Sequence, residues 1–158
     1  MSRTIKNIFS GINGDEFIAT AFGLGNLPLA PGTWGSLGGL LLCLALHPYP
    51  VWYILVFAAI FLAGVRASGR VEKGHSLKDP SYVVIDEFAC IFIVFIAVPM
   101  HPFYLAAGFA LFRLFDILKI PPMKKIEKIK GGWGIMLDDA VAAAYANLVL
   151  QVFRLAGL

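Results

Sequence analysis

The chain has 158 residues, of which 59% are apolar and only 15% are charged, and its formal net charge is +3. Soluble domains carry about 25% charged residues, so this composition excludes a disordered chain or a coiled coil and favours an integral membrane protein. The small and dispersed positive charge also argues against a nucleic-acid partner. The length fits a single domain over residues 1–158.

The first predicted element is a short amphipathic helix within residues 1–14. Apolar residues recur there at helical spacing beside two basic residues, which is typical of a helix that lies in the membrane interface. A stretch rich in glycine and proline follows, with the sequence GLGNLPLAPGTWGS at residues 23–36. We expect this stretch to be a loop.

Five apolar segments, separated by prolines, come next and predict an all-α membrane protein with about five membrane-associated helices. Their predicted bounds are Trp34–Leu46, Val51–Val65, Ser81–Val98, Phe103–Lys119 and Asp138–Leu155. Several segments are shorter than the ~20 residues that a spanning helix needs, so some should tilt or cross only part of the bilayer. Cys43 and Cys90 lie inside such segments and are interpreted as small buried hydrophobic residues.

Basic residues alternate from one connection to the next. The predicted loops 66–80 and 120–137 each contain four Lys or Arg residues, whereas the links 47–50 and 99–102 contain none. Cytoplasmic loops are enriched in Lys and Arg. The pattern therefore predicts five spans with a cytoplasmic N-terminus.

Except for Arg154, the strongly polar residues of these segments, together with Thr33 just before the first segment, gather at the predicted cytoplasmic ends. They are Thr33, Asp86, Glu87, Arg113, Asp116, Lys119, Asp138 and Asp139. Carboxylates that lie close together repel one another unless a cation sits between them, and an oxygen-only ligand set suits Mg²⁺. Arg113 and Lys119 supply positive charge that a phosphate group could use. We therefore predict a site for Mg²⁺ and phosphate on the cytoplasmic side.

Several of these residues also have structural interpretations. One of the two adjacent aspartates of the fifth segment is expected to cap its helix, and Thr33 to cap the first helix. Arg113 and Asp116, three residues apart, fit a structural ion pair. Asp86 and Glu87 are predicted to lie inside the third helix, where capping does not explain them.

Four blocks of the sequence resemble the phosphatidylglycerophosphatase A family in order and spacing. The blocks are GLGNLPLAPGTWGS (23–36), DPSYVVIDEF (79–88), FRLFDILK (112–119) and GGWGIMLDDAVAA (131–143). The resemblance implies an enzyme of the bacterial inner membrane with its active site on the cytoplasmic side. With Mg²⁺, such an enzyme removes the terminal phosphate of phosphatidylglycerophosphate, a phospholipid of the bilayer, and gives phosphatidylglycerol.

The expected reaction is metal-assisted hydrolysis, with a transient aspartyl-phosphate as the alternative route. The predicted metal ligands are Asp86, Glu87, Asp116 and one or both of Asp138 and Asp139. The predicted catalytic residues are Asp86, Glu87, Arg113 and Asp116, and the predicted substrate-binding residues are Thr33, Arg113 and Lys119.

Two further functions fit parts of the sequence. The first is a phosphatase for another lipid phosphate, such as phosphatidic acid. The second is a small transport or assembly subunit without enzymatic activity, in which acids would be distributed through the depth of the membrane. The acids of this chain cluster on one predicted side, which favours the phosphatase.

Overall fold

A computed structural model describes residues 13–75 and 80–157, and these residues form helices and turns without a strand. The helices are α1 (Gly14–Ala19), α2 (Pro31–Leu46), α3 (Pro50–His75), α4 (Ile85–Val94), α5 (Pro102–Leu118), α6 (Met123–Ile126) and α7 (Gly132–Leu155). The predicted all-α fold is therefore confirmed. Most of the predicted interfacial helix lies outside the described residues.

Two helices in the described ranges are long and apolar enough to cross a membrane, at Pro50–Gly74 and Gly132–Leu155. With 26 residues, α3 is ~39 Å long, more than the ~30 Å of a bilayer's hydrocarbon core. The apolar α2 has 16 residues, fewer than a straight spanning helix needs. Length and composition therefore support two of the five predicted membrane helices, and the other three remain a prediction.

The glycine- and proline-rich stretch is not a loop throughout, because α2 already begins at Pro31. Proline suits the first helical position, where its fixed φ angle is helical and its missing N–H leaves no bond unmade. The following glycines then pack against α4. A Cβ at Gly39 would overlap the carbonyl of Phe88, and one at Gly35 would lie 2.8 Å from the carbonyl oxygen of Val84.

We call Gly32, Gly35 and Gly39 the glycine face of α2. Because this face lacks side chains, the backbones of α2 and α4 touch directly, as small residues allow in membrane helix pairs. The contact overrides the low helix propensity of glycine. It also sets the first turn of α2 beside the first turn of α4, where the candidate site lies.

The third predicted helix, Ser81–Val98, is too long at both ends, since α4 covers only Ile85–Val94. Just before α4, the N–H of Val84 donates to the carbonyl of Ala19 in α1 at 2.9 Å. After α4, side chains of α7 bind the exposed carbonyls. Asn147 donates to Val94 at 2.9 Å, and Arg154 donates to Ala97 at 2.7 Å.

Two more helices are longer than predicted. The predicted loop 66–80 is helical as far as His75, because Ala67 and Val71 are buried in a core with α1 and keep α3 regular. The fifth predicted segment begins six residues early, at Gly132. A Cβ at Gly132 would overlap the carbonyl of Val65, so α7 begins in direct backbone contact with α3. By contrast, α5 matches its predicted segment to within one residue at each end.

Candidate active site

Seven of the eight predicted polar residues line one cavity of about 350 Å³. They are Asp86, Glu87, Arg113, Asp116, Lys119, Asp138 and Asp139. The chain entering α2 contributes Ala30, Pro31 and Gly32 to the same wall. The structure thus brings together groups that are more than 50 residues apart in sequence, and their catalytic roles remain predictions.

The first acids of the cavity, Asp86 and Glu87, belong to the first turn of α4. They lie inside a helix, as predicted, but nearer to its start than predicted, because α4 begins at Ile85 and not at Ser81. The positive end of the helix dipole favours carboxylates there by about 0.3–1 kcal/mol each. Asp86 is only 6% exposed.

The adjacent aspartates of α7 are not caps. The N-cap residue is Gly131, which places Asp138 and Asp139 in the second turn of the helix. Each is 4% exposed. An end-capping role therefore does not account for either carboxylate, and both face the cavity.

Three carboxylates converge closely enough to bind one cation. Asp86, Glu87 and Asp139 each offer an oxygen, and these oxygens all lie within 4.8 Å of one another. Two ionised carboxylates 4.8 Å apart repel by roughly 3 kcal/mol at an effective dielectric constant of about 20. This repulsion exceeds the helix-dipole contribution.

The oxygens of this group also have unused hydrogen-bonding capacity. Among the described residues, Glu87 Oε2 and Asp139 Oδ2 are buried without a hydrogen-bond partner. Leaving a buried charged acceptor unsatisfied is costly. A hard divalent cation, which prefers several oxygen ligands, fits both the charge and the donor set.

The remaining two acids are paired with the cavity's cations. Asp138 Oδ2 accepts from Lys119 Nζ at 2.8 Å, and Asp116 Oδ2 lies 3.0 Å from Arg113 Nη1. Asp138 Oδ1 is buried without a hydrogen-bond partner in the described part of the chain, but unlike Asp139 this residue has an oxygen bound to Lys119 and lies outside the closest group of carboxylate oxygens. This distinction between neighbouring residues was left open by the sequence.

Arg113 does more than pair with its neighbour on α5. The same Nη1 atom donates to Glu87 Oε1 at 3.4 Å, so the guanidinium links α5 to the carboxylate group on α4. The predicted structural ion pair with Asp116 is present, but it is one of two contacts. Both contacts are made by Nη1, and Nη2 lies on the side of Gly32.

Lys119 ends α5 with a left-handed backbone, at φ 46°. This conformation stops the helix while the backbone N–H still donates to the carbonyl of Phe115 at 2.9 Å. The side-chain ammonium lies 3.5 Å from Glu127, as well as against Asp138. Glu127 was not predicted, since it belongs to the short segment after α6 that the sequence marks only as a basic loop.

Thr33 is the predicted residue that does not line the cavity, and it is not the cap of α2. The N-cap is Ala30, and the amides of Thr33 and Trp34 both donate to the carbonyl of Ala30.

The residue that reaches the cavity is Gly32. A Cβ at Gly32 would overlap Glu87 Oε1 and lie 3.0 Å from Arg113 Nη2. The sequence offered one indication of this role for Gly32, which is its position directly after Pro31 at a helix start.

Comparison with known proteins identifies the family of this chain. The model of the family described as phosphatidylglycerophosphatase A matches residues 17–154. The chain belongs to the phosphatidylglycerophosphatase A family. All charged residues of the cavity fall inside the matched region, so the family relationship covers the whole candidate site.

The alignments with curated relatives include most of this chain and most of each relative. A phosphatidylglycerophosphatase A of Haemophilus influenzae is 41% identical, over 88% of this chain and 88% of the relative. The protein of that name from Escherichia coli is 32% identical, over 85% and 80%. A Bacteroides thetaiotaomicron protein, named as a phosphatidylinositol-3-phosphatase, is 38% identical over 87% and 91%. No solved structure matches.

Proposed function

We propose that this protein hydrolyses the terminal phosphate monoester of phosphatidylglycerophosphate and releases phosphatidylglycerol and phosphate. The observation that carries the proposal is the cavity in which Asp86, Glu87 and Asp139 converge beside two cations. Family membership and the names of two relatives support the choice of substrate.

We also propose that the carboxylate group binds Mg²⁺. Asp86, Glu87 and Asp139 would be its ligands, because they form the closest set of oxygens, and Glu87 and Asp139 retain unpaired capacity. When bound, the metal would polarise the phosphoryl group and neutralise part of its charge. Five carboxylates against two cations otherwise leave the cavity with three formal negative charges in excess, which would repel a phosphate.

The two cations of the cavity are assigned to the phosphate group. Arg113 Nη2 can donate to a phosphate oxygen while Nη1 stays with Glu87 and Asp116, so binding need not break the existing pairs. Lys119, held at 2.8 Å by Asp138, provides a second positive charge. The amide of Gly32, at the positive end of α2, is a third donor, since helix N-termini favour phosphate.

The membrane setting follows from the same proposal. We place the protein in the bacterial inner membrane, with about five membrane-associated helices and the cavity on the cytoplasmic side. The basic residues of α3's last turns and of the segment around α6 support this orientation. The lipid substrate would then reach the cavity at the level of the headgroups.

Single introduced cysteines test the orientation. Lys73→Cys and Lys128→Cys, both at exposed positions, should react with an impermeant thiol reagent only from the cytoplasmic face of oriented vesicles. Tyr49→Cys, which is also exposed, should react only from the opposite face. The native cysteines, Cys43 and Cys90, are buried and free and should stay unlabelled. Labelling of positions 73 and 128 from opposite faces would contradict the five-span arrangement.

Phosphate release from a panel of lipids tests the function. The purified chain in detergent micelles should hydrolyse phosphatidylglycerophosphate fastest, with phosphatidic acid and phosphatidylinositol 3-phosphate as competitors and soluble glycerol 3-phosphate as the headgroup control. Activity should disappear with a chelator and return with Mg²⁺. Equal activity with and without chelator would overturn the metal assignment.

The panel also addresses a second candidate function. The relative named as a phosphatidylinositol-3-phosphatase is 38% identical to this chain, so a phosphoinositide phosphate is a specific alternative. Both substrates place a phosphate monoester at the membrane surface, and the same cavity chemistry serves either. Faster hydrolysis of phosphatidylinositol 3-phosphate would select this alternative and leave the assignment of the cavity residues intact.

A further inference from the structure

A second cavity, of about 430 Å³, lies between the end of α3 and the start of α7. It shares no lining residue with the candidate active site. Its polar lining is basic and consists of Arg66, Arg70, Lys73 and Lys130. Nothing in the proposed reaction uses these side chains.

The basic residues are arranged on one side of α3. Arg66, Arg70 and Lys73 follow one another at spacings of four and three residues, which places them on the same helix face. Arg70 pairs with Asp15 at 3.1 Å. Arg66, Lys73 and Lys130 have no acidic partner in the ranges that the structure describes. Like charges at this spacing destabilise a helix, and an anion in the cavity would relieve the repulsion.

The walls of the cavity are fixed by backbone packing. A Cβ at Gly69 would lie 2.9 Å from the amide nitrogen of Gly132, and one at Gly132 would overlap the carbonyl of Val65. The two glycines therefore let α3 and α7 approach until their backbones touch. The basic face of α3 is held beside the start of α7 by this crossing, so the spacing of the cations across the cavity is built into the fold.

The cavity lies at the boundary between apolar and charged surface. The apolar stretch Val51–Val65 of α3 has no charged residue, and the basic face begins at the next residue, Arg66. Trp133 lines the cavity and is 49% exposed. Its ring lies 6.4 Å from that of Phe61 in the apolar stretch. Tryptophan is enriched where a membrane helix passes through the headgroup region.

We propose that this cavity binds the phosphate-bearing headgroup of an anionic phospholipid at a site separate from the catalytic one. Basic pockets between membrane helices on the cytoplasmic side bind such headgroups. The cations of the cavity match the charge of the phosphate, and the exposed indole and the apolar stretch below it match the glycerol region and the acyl chains. The proposal does not depend on which lipid phosphate the enzyme hydrolyses.

Native mass spectrometry of the full-length chain in mild detergent tests the proposal. The chain should retain added dioleoylphosphatidylglycerol in preference to dioleoylphosphatidylcholine. The variant R66Q/K73Q/K130Q should lose about 100-fold in phosphatidylglycerol affinity, because each cation near a headgroup contributes roughly fivefold. The matched control K124Q/K125Q/K128Q removes the same charge from exposed positions outside the cavity and should bind like the unmodified chain.

Further measurements separate lipid binding in this cavity from catalysis and from binding of free anions. Asp86→Asn should bind the lipid normally, so loss of catalysis and loss of lipid binding remain distinguishable. If the triple variant does not fold, Arg66→Gln and Lys73→Gln singly should each lower the affinity about fivefold. Equal retention of both lipids, or an equal loss in the control variant, would overturn the proposal. Binding of inorganic phosphate as tightly as phosphatidylglycerol would also overturn it, because it would show a site for free anions to which the lipid part of the ligand contributes nothing.

Discussion

Replacing Asp86 with Asn, Glu87 with Gln or Asp139 with Asn should lower kcat for lipid-phosphate hydrolysis by at least about 100-fold, the upper end of the range for residues that only support metal ligands. Each change removes one charge from the group of oxygens within 4.8 Å. The loss should be greatest at low Mg²⁺. Phosphate release measured across a Mg²⁺ titration would show it.

The same variants should stay folded. Because neutralising one carboxylate relieves repulsion in the apo protein, the midpoint of thermal unfolding without metal should be unchanged or higher. Asp15→Asn, which neutralises an acid outside the cavity, is the matched control and should keep normal turnover. Near-normal turnover of all three cavity variants at saturating Mg²⁺ would show that the metal site is wrongly assigned.

Asp138→Asn should behave differently from Asp139→Asn, although the residues are adjacent. Asp138 holds Lys119 at 2.8 Å and lies outside the closest group of carboxylates. We therefore expect its replacement to weaken substrate binding and to leave the Mg²⁺ requirement unchanged. If the Mg²⁺ dependence of the activity shifted equally in both variants, Asp138 would be a metal ligand, as the sequence allowed.

The second large effect is expected at Arg113. Arg113→Ala should lower kcat/KM by roughly 100-fold or more, as removing one preorganised donor does in other enzymes. Arg113→Lys should restore only part of the activity, because lysine keeps the charge but cannot hold Glu87, Asp116 and a phosphate oxygen at once. Turnover should be measured per folded molecule.

A purely structural role for Arg113 has different consequences. Arg113→Lys would then be nearly silent, and Arg113→Ala would mainly reduce the amount of folded protein. Asp116→Asn, which removes the partner on the same helix, should be measured in parallel. Normal specific activity of folded Arg113→Ala would assign the arginine to the scaffold and leave Lys119 as the remaining cation for the phosphate.

The prolines predicted the starts of two helices correctly and the start of a third wrongly. Pro102 begins α5 close to the predicted bound, and Pro50 begins α3 one residue before it. Pro80 does not begin α4, because the residues after it form a turn that is bonded to α1 through Val84. Backbone contacts of this kind involve residues far apart in sequence, so no local pattern in the sequence reports them.

The acidic cavity was predictable in outline. Counting Lys and Arg from loop to loop placed the acids at one end of the helices, and seven of the eight named residues line a single cavity. The pairing of each cation was not predictable. Which oxygen Lys119 approaches depends on the turn that ends α5 and on the depth of Asp138 in α7, and both follow from packing.

The glycine face of α2 leaves this helix little evolutionary freedom. In most helices an alanine in place of glycine is a gain of up to about 1 kcal/mol in propensity. Here the added methyl group at Gly35 or Gly39 would meet the α4 backbone, and at Gly32 it would displace Glu87. Substitution at these three positions is therefore limited both by the packing of α2 on α4 and by the position of Glu87, so the gain in helix propensity from Gly→Ala is not available where α2 borders the cavity.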